Sequence, residues 1–126
     1  MSQNVNFGMV GLGRMGANIV RRLSRHSITS AVYDVSPDAV ATLAAEGAIG
    51  AKDMADLAAK LSAPRTIWIM VPAAVTDSTI AAMAEHLEKG DTIIDGGNSY
   101  YKNDLKNAAL LAEKGINFVD IGTSGG

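Results

Sequence analysis

The chain has 126 residues, a net charge of −2, 48% apolar and 19% charged residues. That is the length and balance of one globular domain, which excludes a disordered chain, and the lack of any basic block excludes nucleic acid as a fitting partner. It has no cysteine, which excludes disulfides and thiolate metal sites and fits a reducing, cytoplasmic setting. The start, Met1-Ser2-Gln3-Asn4, lacks the basic and apolar regions of a secretory leader. The longest apolar run, Ile67 to Val75, contains Pro72 and is too short to cross a membrane, so no membrane partner is expected.

The first predicted strand runs from about Asn6 to Gly11. A helix follows, with Met15, Ile19 and Leu23 at fourfold spacing as its core face and Arg21, Arg22 and Arg25 turned away. Ser30 to Asp34 is the second strand. Ser36-Pro37 supplies a cap and a first-turn proline for a helix running to Glu46, where Gly47 stops it. A weak strand is expected at Ala48-Ile49. Met54, Leu57, Ala58 and Leu61 fit one helical face, ended by Pro64. Thr66 to Val71 reads as a fully buried strand. Helix from Val75 to Lys89, strand from Thr92 to Asp95, helix from Tyr101 to Lys114 and strand from Asn117 to Ile121 complete the pattern, with Gly90 and Gly115 as stops. Strands alternating with helices predict an α/β fold of Rossmann type: a doubly wound parallel sheet with helices on both faces, binding ligands beyond the carboxyl ends of its strands. The whole of 1–126 reads as one such domain. Ser124-Gly125-Gly126 directly follows a strand, so the chain is expected to be the first domain of a longer enzyme.

Gly11-Leu12-Gly13-Arg14-Met15-Gly16 sits between the first strand and helix, and Asp34 lies eighteen residues beyond Gly16 at the end of the second strand. A bare hexapeptide of this form is weak evidence in a chain with 13 glycines, but strand, glycine turn, helix, strand and terminal acid together are much stronger evidence of dinucleotide binding. Gly11 allows the sharp turn, Gly13 leaves room for a pyrophosphate, and Gly16 lets the helix pack on the sheet. The helix N-terminus then offers free N–H groups to the phosphates, and Arg14 adds a cation. Asp34 is placed to accept from adenosine ribose hydroxyls and to repel a 2′-phosphate. No arginine follows it, which predicts NAD in preference to NADP, with Arg14 the one cation that could reach a 2′-phosphate instead. The bland readings are a mere tight turn for the glycines and a turn cap for Asp34. At the nicotinamide end, Met70-Val71-Pro72-Ala73 and Asp95-Gly96-Gly97-Asn98-Ser99 leave their strands at the same sheet edge. Asn98 carries an amide donor and acceptor there, although by residue type alone it is a turn or cap.

These segments, with Asp91 to Tyr101 and Gly122-Thr123-Ser124-Gly125-Gly126, resemble the N-terminal domain of the decarboxylating 6-phosphogluconate dehydrogenases. The resemblance covers essentially the whole chain. It implies that Gly11, Leu12, Gly13, Arg14, Met15, Gly16, Asp34, Met70, Val71, Pro72, Ala73 and Asn98 bind cofactor, with Met15 near the nicotinamide. It also implies that Asn98 lies between nicotinamide and substrate, and that Ser124, Gly125 and Gly126 begin a sugar-phosphate site. The implied reaction of the pentose phosphate pathway oxidises 6-phosphogluconate and releases carbon dioxide and ribulose 5-phosphate. Its lysine and glutamate acid–base pair would lie beyond Gly126 in a helical substrate and dimerisation domain, so this piece is expected to bind cofactor without turnover and the full protein to be a homodimer. Two departures stand out. Asp34-Val35 replaces an asparagine-arginine pair of many NADP users, like the shorter NAD-preferring branch, and Pro72 replaces a frequent lysine. The runner-up is a β-hydroxyacid dehydrogenase of the 3-hydroxyisobutyrate type, against which the Asp95 to Ser99 run argues. A non-catalytic NAD-sensing module is the alternative of another class. His26 and His86 read as helix-end surface residues, Trp68 as packing and Lys102, Lys106 and Lys114 as a solvated face. No cluster has metal-ligand spacing, so no metal is expected.

Overall fold

The computed structural model describes residues 5–96 and 101–121. Its elements are β1 (Phe7–Val10), α1 (Arg14–Arg25), β2 (Ala31–Tyr33), α2 (Pro37–Ala45), β3 (Ile49–Gly50), α3 (Met54–Ala59), β4 (Thr66–Ile69), α4 (Ala73–Ala84), β5 (Thr92–Asp95), α5 (Tyr101–Glu113) and β6 (Asn117–Asp120). The sheet order is β3-β2-β1-β4-β5-β6, with every pairing parallel. This is the expected doubly wound Rossmann arrangement, and its direction of winding reverses between β1 and β4.

Register sets where a ligand can sit. Val10 pairs with Tyr33 and with Ile69, Ile69 with Asp95, and Asp95 with Asp120. Five strands therefore end level at one edge of the sheet. Alternation along the strands divides the core between two faces. Val10, Ala31, Ile67, Ile69 and Ile93 pack with Leu57, Ile80, Met83 and Leu111 of α3, α4 and α5. On the opposite face Met9 and Val32 pack with Ala17 and Val20 of α1 and Leu43 of α2.

Side-chain caps fix the starts of two helices, that at Ser36 as expected. Ser36 Oγ accepts from Ala39 N–H at 3.4 Å with Pro37 in the first turn, and Asp53 caps α3 by accepting from Asp56 N–H at 2.7 Å. Three expectations are corrected. The buried face of α1 is Gly16, Ala17 and Val20; Ile19 and Leu23 are only partly covered and Met15 is 53% exposed. β4 ends at Ile69 and alternates, with Ile67 and Ile69 buried and Thr66 and Trp68 partly open. Trp68 does pack, edge-on to Phe7 at 6.2 Å between ring centroids. α4 begins two residues early because Pro72 serves as its N-cap. It stops at Ala84, where Glu85, His86 and Leu87 bond three residues back and tighten the chain into a turn.

Two exposed ion pairs pin helices. Arg21 of α1 holds Glu46 at 2.8 Å, and Lys60 holds Asp56 at 2.7 Å. The hydrogen bond from Arg21 holds the Glu46 carboxyl below its ordinary value of 4.5, and that from Lys60 holds Asp56 below 3.8. A folded-state depression stabilises above the unfolded value and is lost as pH falls through the folded one. Stability measured by denaturant should therefore decline as acid is added below about pH 4.5. Glu46→Gln should flatten part of that decline, and 1 M salt should shrink it. An identical acid profile in the variant would show that the pair contributes nothing.

Candidate functional site

The level strand ends open into a cleft of about 760 Å³ at the point where the winding reverses. Its lining includes Gly11, Gly13, Met15, Gly16, Asp34, Met70, Val71 and Pro72. The separate sequence signals thus converge on one site.

Each glycine of the loop has its own cause. Gly11 has φ +100, and a Cβ there would collide with the Met70 carbonyl of the neighbouring chain crossing. At Gly16 a Cβ would strike the Gly11 carbonyl, so α1 can approach the turn only with a bare residue. Gly13 differs. Its φ of −66 suits any residue, and a Cβ would meet nothing within 4 Å. Neither backbone nor packing requires a glycine at this position. What its bareness preserves is open space in the cleft, directly before the first turn of α1.

That first turn is a polar opening. No side chain caps α1, and its first turn holds no acidic residue. α2 and α3 by contrast carry Ser36 and Asp53 as caps. Amides of a first helical turn have no partner within the helix, and together with the helix dipole they suit an anion. An uncapped helix end beside a bare-backbone cradle fits a pyrophosphate.

Asp34 stands at the rim and ties the turn together. Its carboxylate accepts from Leu12 N–H at 2.6 Å and from Ser36 N–H at 2.8 Å. Gly11 N–H donates to Tyr33 O at 2.9 Å, which fastens the loop to β2. A carboxylate offers about four acceptor positions, so about two remain for hydroxyls. The turn-capping role is therefore present, and it leaves capacity for a ligand. Val35, next in the chain, is 88% exposed and also lines the cleft.

Three residues expected in the cofactor set do not line the cleft: Leu12, Arg14 and Ala73. The Leu12 side chain is buried in the core on the α1 side, so only its amide serves the site. Arg14 and Ala73 are exposed at the first positions of α1 and α4. Met15, expected in the core on pattern alone, is instead at the cleft mouth. Asn98, Ser124, Gly125 and Gly126 lie outside the described residues. Sequence reasoning missed Tyr33, Val35, Met54, Val75 and Thr79 in the lining, along with Val10 at the end of β1. The first two flank Asp34, and Val75 and Thr79 share a face of α4 at fourfold spacing, so those signals existed. Met54 had none, because α3 reaches the cleft only through the fold.

Among the described residues no group of three acidic or histidine side chains is arranged to hold a metal, and no helix is long and apolar enough to cross a membrane.

Comparison with known proteins bears on the same residues. The family model described as the NAD binding domain of 6-phosphogluconate dehydrogenase matches residues 6–126. The decarboxylating 6-phosphogluconate dehydrogenase of Haemophilus influenzae is 42% identical over all of this chain and 27% of its own length. The Haloferax volcanii relative, named as NAD(+)-dependent and decarboxylating, is 37% identical over 97% of this chain and 40% of its own. The chain thus spans well under half of these relatives. A solved 6-phosphogluconate dehydrogenase from Plasmodium falciparum, described with NADP+ and with 6-phosphogluconate, superposes with a TM-score of 0.81 and 28% identity. That match covers 90% of this chain and 26% of the other.

Proposed function

Because the chain belongs to the family of NAD-binding domains of 6-phosphogluconate dehydrogenase, we propose that it binds a nicotinamide dinucleotide in the switch-point cleft and serves, within a longer enzyme, the oxidative decarboxylation of 6-phosphogluconate to ribulose 5-phosphate. The observation that carries the binding reading is the bare Gly13 cradle before the uncapped end of α1, in the same cleft as Asp34. When bound, the nicotinamide supplies a hydride acceptor. The chain's own residues bind and orient. The first turn of α1 takes the pyrophosphate, the free acceptor positions of Asp34 take the adenosine ribose hydroxyls, and Val71, Val75, Met54 and Met70 exclude water from the walls.

Asn98 positions nicotinamide against the sugar phosphate, and Ser124, Gly125 and Gly126 begin the substrate pocket. These roles rest on the resemblance of their motifs. The proton-transferring lysine and glutamate belong to the further helical domain, so this chain alone binds cofactor without turnover. The full enzyme is a cytoplasmic homodimer in this reading.

NAD is the preferred form. A 2′-phosphate would meet the Asp34 carboxylate and find the apolar Val35 where a cation is needed, and the NAD(+)-dependent naming of the Haloferax relative supports the same choice. Calorimetric titration should give tighter binding of NAD than of NADP. The double variant Asp34→Asn with Val35→Arg should reverse the order, strengthening NADP and weakening NAD by roughly tenfold each. Equal affinities in the unaltered chain would remove Asp34 from this role. If neither dinucleotide binds, the function is removed.

A further inference from the structure

We propose that the Met15 thioether is a peroxide-sensitive modification site whose oxidation weakens dinucleotide binding and which bound dinucleotide shields. The second half of this rests on the binding reading above; the first does not.

The described methionines sort by environment. Met9 and Met83 are wholly buried, one in each core. Met54 and Met70 are half-buried in the cleft wall. Met15 is 53% exposed at the cleft mouth, on the first turn of α1 between Gly13 and Gly16. The chain has no cysteine, so no thiol competes for a two-electron oxidant. Thioether susceptibility follows access, which ranks Met15 first among the described methionines.

The step balances with hydrogen peroxide as oxidant. The sulfur donates a lone pair to one peroxide oxygen, the O–O bond breaks, an S–O bond forms and water leaves. The thioether is oxidised to the sulfoxide and the peroxide is reduced.

The consequence follows from position. A flexible apolar side chain becomes polar, with an oxygen of partial negative charge. Beside the uncapped α1 terminus that oxygen competes for the first-turn amides and repels a phosphate. Against Val71, Val75 and Met54 it is also a poor neighbour for a ring. A bound dinucleotide would in turn cover Met15 and slow its oxidation.

The test treats the chain with hydrogen peroxide to partial conversion and maps sulfoxides by peptide mass spectrometry, with and without saturating NAD. Met15 should be modified first among the described methionines, at least roughly tenfold faster than Met9 and Met83, and NAD should slow it by roughly fivefold or more. Calorimetry on the oxidised chain should show NAD binding weakened roughly tenfold, restored by methionine sulfoxide reductases. In Met15→Leu, peroxide should leave NAD affinity at its untreated level, whatever that level is. Oxidation of Met15 no faster than of the buried pair would overturn the site. Unchanged affinity after its oxidation, or equal loss in the peroxide-treated Met15→Leu chain, would overturn the consequence. If the untreated chain binds no dinucleotide, the functional reading and the consequence fall together, while the order of oxidation still decides the site.

Discussion

Gly13→Asp should leave the chain folded, and if anything slightly more stable, while removing its affinity for dinucleotides. Gly13 is the N-cap of α1 with extended backbone (φ −66, ψ −173), and its missing Cβ faces open space. Aspartate is a favoured N-cap, so the substitution should add a few tenths of a kcal/mol to stability. Its carboxylate would take first-turn amides that an anion otherwise uses, and would place negative charge in the pyrophosphate position. A loss of at least about 100-fold in NAD affinity, about 2.7 kcal/mol, is expected by calorimetry, with the denaturation midpoint unchanged or raised. The opposite signs separate this from general damage. A variant that unfolds would contradict the open cradle, and one that binds NAD normally would place the pyrophosphate elsewhere.

Asp91→Ala should produce the largest loss of stability of any single change at the opposite edge of the sheet. Asp91 is fully buried just before β5, with three donors on its carboxylate. Arg65 N–H donates at 2.7 Å, Arg65 Nε at 3.1 Å and Glu88 N–H at 2.8 Å. Arg65 also reaches the Ala58 carbonyl at 3.2 Å, so one pair joins the end of α3, the start of β4 and the turn before β5. Removing the carboxylate leaves two amides unpaired and a largely buried guanidinium with only the Ala58 carbonyl and a 3.6 Å pairing to the exposed Glu88 carboxylate. Breaking such a pair costs about 3–5 kcal/mol, a large share of the roughly 5–15 kcal/mol that holds a domain folded. Urea denaturation should show the midpoint falling accordingly, and a loss under about 1 kcal/mol would mean water replaces the carboxylate. Because the pair lies at the edge away from the cleft, dinucleotide affinity of the remaining folded fraction should be unaffected.

The glycine turn, the terminal acid of β2, the caps at Ser36 and the helix stops were legible because each is a local requirement. A collision of Cβ with a carbonyl, an unpaired first-turn amide or a fixed proline φ constrains the residue at that position wherever the chain is placed. The α1 face was misread for a related reason. Hydrophobicity favours Met15, Ile19 and Leu23, but contact with the Gly11 carbonyl requires a bare residue at Gly16 on the inward face. Gly16 and Ala17 therefore face the sheet, and Met15 turns out toward the cleft. Close approach outweighed apolar content.

From the residues alone came the strand–helix alternation, the doubly wound sheet, the phosphate-cradling turn and the acid at its rim, since all of these are set by neighbours within a few positions. Only the tertiary structure decided which face α1 buries, that Met54, Val75 and Thr79 wall the cleft, and that Arg65 and Asp91, twenty-six residues apart, share a buried contact. Those outcomes depend on how the helices dock and how the strand ends come level, and docking is fixed by shape and hydrogen-bond satisfaction between segments far apart in the chain.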